Sequence, residues 1–189
     1  MEAGIRNPTQ AVGDEKRWRH FVRRREGSTA IEFAVLIMPF ALLVFAILES
    51  CISFAAQQVM TTATDDVARL YRTGQLSKNE LSLDQLKDKV CEGMSVMVGP
   101  GCKENLAVDL QTFDTFTLAA AERTPYLNGD LNSADFTAAP GGAGTKNMLR
   151  VYYKWPVMTD LLRLSMSNIN GGKILHYASV TWQNEPYAE

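Results

Sequence analysis

The sequence predicts an α+β protein: a long N-terminal transmembrane-plus-amphipathic helix packed on a small antiparallel sheet, with a single pass through a membrane. Three observations carry that expectation. Residues 33–48 read FAVLIMPFALLVFAIL, sixteen positions without a charge. Apolar residues at three- and four-residue steps then prolong the helical period, and three alternating runs of strand type follow in the C-terminal part. The 189 residues suffice for one ordinary domain and an appendage. A content of 46% hydrophobic residues with only three Cys and 13 Gly excludes a disordered polymer, a collagen-like repeat and a disulfide-dense miniprotein.

The first element is set by charge as much as by hydropathy. The net charge is −2, which predicts no nucleic-acid partner. Residues 1–26, however, hold seven basic side chains (Arg6, Lys16, Arg17, Arg19, Arg23, Arg24, Arg25) against four acidic ones, so the rest is acidic. The sixteen-residue run covers roughly 24 Å as a helix, and extension through Ser28–Ile31 and Ser50–Ala56 reaches the ~30 Å of a bilayer core. Arg23-Arg24-Arg25 before the run places the N-terminus in the cytoplasm by the positive-inside rule. Anionic lipid is the natural partner of this cluster, more than nucleic acid.

Three export routes share this outline. Ser53-Phe54-Ala55 offers a small-x-small site for signal cleavage, but Glu49 and Cys51 lie between it and the apolar run. Leu48-Glu49-Ser50-Cys51 has a lipoprotein frame that a Glu beside the cysteine fits poorly. The third route cuts at the cytoplasmic edge, where the chain reads Arg25-Glu26-Gly27-Ser28-Thr29-Ala30-Ile31-Glu32-Phe33.

Beyond the apolar run, Ala56, Val59, Met60, Ala63, Val67, Leu70 and Tyr71 form a helical stripe, and Gly74 is a natural terminator. Ser28 to Thr73 is thus expected as one helix of 46 residues, about 69 Å long, kinked near Pro39. From Ser77 a small α+β head begins. Ser82-x-x-Gln85 has capping-box spacing, with Leu83, Leu86, Val90 and Met94 on one helix face. Residues 106–118 alternate through Leu106, Val108, Leu110, Phe116 and Leu118, interrupted at Thr112 and Asp114. Leu149, Val151, Tyr153 and Trp155 form a second alternating set; Ile174, His176, Ala178, Val180 and Trp182 form a third. Residues 128–147 are expected as a mobile loop, 158–166 as a short helix, and Asn170-Gly171-Gly172 as a turn. The division is 1–27 as a cytoplasmic leader, 28–73 as the stalk helix and 74–189 as the head.

Cys91 and Cys102 flank Gly99-Pro100-Gly101 and would lie outside the cytoplasm, where a disulfide between them persists. Cys51 is expected as a small apolar packing residue. No motif nominates a catalytic site, a metal site or a cofactor: there are two His, and no His-Glu-x-x-His, Walker loop or Gly-x-Ser-x-Gly. His176 is expected to be structural. The chain is therefore not expected to be an enzyme.

The basic leader ending in Gly27, the short small-residue stretch, Glu32 five residues later, Phe33 and the apolar helix resemble a prepilin leader of the Gly-x-x-x-x-Glu-Phe form. With the two-cysteine segment and the Trp182-Gln183-Asn184-Glu185-Pro186-Tyr187 tail, the chain resembles the TadE-like family of the Tad/Flp (tight adherence) pilus. The leader departs from the pattern by its extension, Met1–Arg17. The resemblance implies cleavage between Gly27 and Ser28 by an aspartyl prepilin peptidase at the inner membrane of a bacterium, and a pilin-like lollipop with a periplasmic head. It implies a pseudopilin or minor pilin, of TadE or TadF type, that serves pilus assembly, surface adhesion and biofilm formation. Its partners would be the peptidase, other Tad pilus subunits, the inner-membrane assembly platform and lipid. Glu32 and Phe33 would act in assembly, Glu32 meeting the new α-amine of Ser28 on a neighbouring subunit. Two other readings stay open: an unprocessed single-pass scaffold or binding protein, and a secreted protein or enzyme cut near Ala55.

Overall fold

The computed structural model describes residues 25–76 and 81–187. The leader residues 1–24, with Arg23, Arg24 and His20, and the start of the head at Ser77 lie outside the described residues. Helix α1 spans Arg25–Arg72, with Pro39 inside it and not ending it. It stops where Gly74 takes φ +72°. There the Gln75 N–H donates to Leu70 and the Gly74 N–H to Tyr71, the Schellman pattern that satisfies carbonyls left over at a helix end.

The chain divides into two compact units, Met1–Ile47 and Leu48–Glu189. In the first, every described side chain from Thr29 to Phe40 is exposed. Ile31, Phe33, Val35, Leu36, Met38 and Phe40 point outward all round the helix. A helix apolar on every side has no aqueous face to offer.

The second unit begins within α1. After α1 come α2 (Leu83–Gly93), α3 (Cys102–Asn105), β1 (Leu106–Phe113), α4 (Phe116–Ala121), β2 (Tyr126–Leu127), β3 (Asp130–Leu131), β4 (Lys146–Pro156), α5 (Asp160–Met166) and β5 (Lys173–Gln183). Ser82 and Gln85 complete the capping box of α2: the Ser82 N–H donates to Oε1 at 2.9 Å and the Gln85 N–H donates to the Ser82 hydroxyl at 3.3 Å. Strands β1, β4 and β5 form an antiparallel sheet in that order, with β4 central. One sheet face, through Val108, Leu110, Leu149, Val151, Tyr153 and Trp155, shares a core with Ala56, Met60, Ala63, Val67 and Tyr71 of α1 and with Leu86, Val90 and Met94. Gly93 lets α2 approach α1 closely, since a Cβ there would meet the Ala63 Cβ at 2.7 Å.

The opposite sheet face is covered by the β1–β4 connection. Tyr152 packs with Leu131, Phe136, Ile169 and Leu175. On this face Arg150 lies opposite Asp109 in the register, both are buried, and Arg150 Nε donates to Asp109 at 3.2 Å. β4 is therefore buried on both faces, from Asn147 to Tyr153 without a break.

Two expectations are revised. The alternating run 106–118 stops at Phe113, because Thr115 accepts the Leu118 N–H at 3.2 Å and caps α4. Phe116 and Leu118 thereby become exposed helix residues rather than strand residues. The stretch 128–147, expected as a mobile loop, is tethered along its length. Asn128 and Gly129, both with positive φ, turn the β2–β3 hairpin. The Leu110 N–H donates to Thr137, the Ala139 N–H donates to Leu110, and Asn184 donates to Gly141 and Gly142.

The edge of β5 away from β4 is partly occupied. The Gln57 side-chain amide donates to the Tyr177 carbonyl at 2.8 Å and accepts the Tyr177 N–H at 3.3 Å, as a strand backbone would. The C-terminal tail docks on the end of α1. The Glu185 N–H donates to the Arg72 carbonyl, Trp182 Nε1 donates to Asn184 at 2.7 Å, and the Tyr187 ring covers Gly74.

Candidate functional site

Gly27, Ser28, Glu32 and Phe33 all lie in the first turns of α1. Gly27 lies near the start of the described part of α1. Ser28 and Glu32 are four residues apart, one turn along a single helix face. Glu32 and Phe33 are exposed, and Phe33 opens the uncharged run. The side-chain surroundings of Gly27 and Ser28 lie outside what is described. Pro39 has no N–H, so the Val35 carbonyl lacks its usual donor one turn on.

Within the second unit, Cys91 at the end of α2 and Cys102 at the start of α3 form a disulfide with Cα atoms 6.0 Å apart. Lys103, next to Cys102, bridges Asp84 at 2.8 Å and Asp88 at 2.7 Å on α2. The bond and the ion pairs fix the same two helices together. Cys51, expected as a packing residue, is exposed on α1.

Two groups of polar contacts on α1 were not singled out in the sequence. Glu49 is buried, and its carboxylate accepts the backbone N–H groups of Met158 and of Thr159, the residue before α5. An acidic group accepting free amides at the start of a helix is favoured by both hydrogen bonding and the macrodipole. One turn on, Ser53 is buried and its hydroxyl lies 2.9 Å from His176 Nε2. The His176 ring stacks on Trp155, with centroids 5.6 Å apart, and its Nδ1 has no hydrogen-bond partner among the described residues. Burial pushes the imidazole down from its ordinary 6.5 to about 4, so it is neutral at physiological pH. The signal was present in the spacing: Glu49, Ser53, Ala56 and Met60 continue the buried stripe of α1 toward the N-terminus at steps of three and four.

Among the described residues, no group of three or more His, Cys, Asp or Glu side chains is placed to hold a metal ion. In the sheet, the buried charges Asp109 and Arg150 pair with each other. Arg150 reaches Asp109 and, at 3.4 Å, Glu122, while Asp109 also accepts from Gln111 and the Thr137 N–H.

The helix from Thr29 onward is long and apolar enough to cross a membrane, and its most apolar window has no buried residue. This one N-terminal apolar helix is compatible with a single-pass membrane protein. No curated protein and no solved structure matches the chain. Residues 27–69, from the glycine of the leader through the buried stripe of α1, match the family model described as TadE-like protein, the family that the leader motif resembled, and the match points to a Tad pilus-associated protein.

Proposed function

We propose that this protein is a pseudopilin or minor pilin of the Tad/Flp pilus, cut after Gly27 by prepilin peptidase and retained in the inner membrane by its apolar helix. Its N-terminus faces the cytoplasm and its head the periplasm, and its role is in pilus assembly rather than catalysis. The observation that carries the reading is the helix surface from Ile31 to Ile47. Bulky apolar side chains stand exposed on every side of it, and such a surface needs lipid or packed neighbouring helices around it. The family match supports the reading because it begins at the glycine of the proposed cleavage.

Glu32 acts in assembly. Cleavage gives Ser28 a positive α-amine, and Glu32 of a neighbouring subunit pairs with it. A carboxylate among apolar helices is costly, about 2.5–3.5 kcal/mol at a helix centre and less near the interface. Pairing offsets that cost and fixes the stagger of one helix against the next. Glu32→Ala is expected to be cleaved normally yet to assemble poorly. Normal piliation by that variant would contradict the role.

The deciding experiment is the N-terminal sequence of the mature protein in cells with and without prepilin peptidase. Ser28 with the peptidase and Met1 without it is the expected pair. Met1 in both identifies an unprocessed anchor. Ala56 identifies a secreted product, which the packing disfavours: that cut detaches Glu49 and Ser53, both buried and hydrogen-bonded to the head.

A further inference from the structure

Strand β5 has one neighbour in its sheet, β4, and its outer edge is filled for only part of its length. Along an antiparallel strand the backbone N–H and C=O groups turn to one side and the other at alternate residues. Three contacts fix which residues of β5 turn outward. The Lys173 carbonyl accepts the Asn168 N–H, the Leu175 N–H donates to the Asn168 side chain, and both groups of Tyr177 are held by Gln57. By the same two-residue period Ser179 and Thr181 turn outward as well. Both are exposed, and among the described residues nothing bonds their outward N–H and C=O groups. The protein's own groups close the first half of this edge and leave two donors and two acceptors open beyond it.

A groove lies beside the opening, wholly within the second unit. Asp65, Ala68, Arg69 and Arg72 of α1 line it with Val180 and Trp182 of β5, and its volume is about 260 Å³. Ordinary small-molecule sites run from roughly 300 to 1,000 Å³, so this one suits a few side chains rather than a whole ligand. Asp65 and Arg69 are exposed and, among the described residues, take part in no ion pair, while Arg72 reaches Glu185 only at 4.0 Å. Four helical residues rise about 6 Å, and two residues of a strand rise about 6.6 Å. Opposite charges two positions apart on an extended chain therefore match the spacing of Asp65 and Arg69.

We infer that the outer edge of β5 at Ser179 and Thr181 takes up an extended segment of another protein as an added strand, with a basic side chain against Asp65 and an acidic one, two residues away, against Arg69. The backbone of the incoming segment supplies the hydrogen bonds, and its alternate side chains in the groove supply the selection. The occupant is an extended chain because it carries donors and acceptors at the repeat of the open edge, together with charges at the repeat of the helix face.

The test uses the full chain in detergent micelles and the synthetic peptide acetyl-Thr-Val-Lys-Thr-Glu-Val-Thr-amide, whose Lys and Glu share one strand face. Backbone amide hydrogen exchange is followed by NMR with and without the peptide. In the free chain the Ser179 and Thr181 amides should exchange fast and the Leu175 and Tyr177 amides slowly. With peptide, exchange at 179 and 181 should slow severalfold, saturating below about 1 mM. Arg69→Glu should weaken that binding roughly fivefold, the size of one exposed charge contact. Thr181→Pro removes an outward N–H and leaves the ladder to β4 intact, so it should abolish binding with an unchanged circular-dichroism spectrum. Slow exchange at 179 and 181 in the free chain overturns the inference, as does no slowing with peptide. Binding undiminished in Arg69→Glu or in Thr181→Pro overturns it too.

Discussion

Acid should loosen the head through one side chain, His176. The imidazole is buried, stacked on Trp155 and bonded to Ser53, and its folded pKa is about 4 against an ordinary 6.5. Below 6.5 the unfolded chain binds a proton that the folded one refuses, so stability falls as pH falls. At about 1.4 kcal/mol per tenfold change in proton affinity, the drop from 6.5 to about 4 is a loss of about 3 kcal/mol, complete only below the folded pKa. Roughly 1.4 kcal/mol of it is spent by pH 5.5, and almost none at pH 7. Carboxylates titrate in the same range, so the measurement is a difference. Urea unfolding of the full chain in detergent micelles, followed by tryptophan fluorescence, is compared with His176→Gln at each pH. Gln keeps a donor and an acceptor but does not titrate. The wild-type midpoint should decline against that of the variant between about pH 6.5 and 4 and run parallel above. Parallel curves throughout would refute the reasoning.

Other perturbations follow from the packing. Arg150→Met leaves Asp109 charged, buried and short of its main partner, and should cost about 3–5 kcal/mol in urea unfolding. Reduction of the Cys91–Cys102 bond, or Cys91→Ser with Cys102→Ser, should cost about 3 kcal/mol by the chain-entropy model for a loop of this size. Dithiothreitol should lower the melting temperature of the wild type and leave the double variant unchanged. Gly74→Ala meets both a left-handed backbone, at about 1–2 kcal/mol, and the Tyr187 ring 2.7 Å from the new Cβ. Adding Tyr187→Ala should recover only the steric part of the lost melting temperature. Glu49→Ala strands two amides, at about 1–3 kcal/mol, read as a lowered urea midpoint.

Local signals were the legible ones. The stripe from Ala56 to Tyr71, the capping box at Ser82 and the two long strands β4 and β5 rest on periodicity or on a side chain bonding its own turn, and such features do not depend on the rest of the chain. What stayed hidden depended on partners distant in sequence. Glu49 looked like an interruption of a signal sequence until the Met158 and Thr159 amides, more than a hundred residues away, came to it. Asp109 and Arg150 are 41 residues apart and carry no local sign of pairing; the strand register sets them opposite each other. At Phe116 two local signals competed, and the Thr115 cap outweighed an alternation already broken at Asp114. The β2–β3 hairpin has two residues per strand, too few for any period, though its Asn128-Gly129 turn was written in the residues.

The amide of Gln57, seated on the backbone of Tyr177, bears on how the protein avoids aggregation. A sheet margin with open donors and acceptors invites another chain to add itself as a further strand, and many copies doing so make amyloid-like clumps instead of an ordered fibre. By filling part of that margin with a side chain from its own helix, the protein discourages lateral sticking at Tyr177. A Gln57→Ala subunit would then be recognised by its aggregates before any defect in folding was noticed.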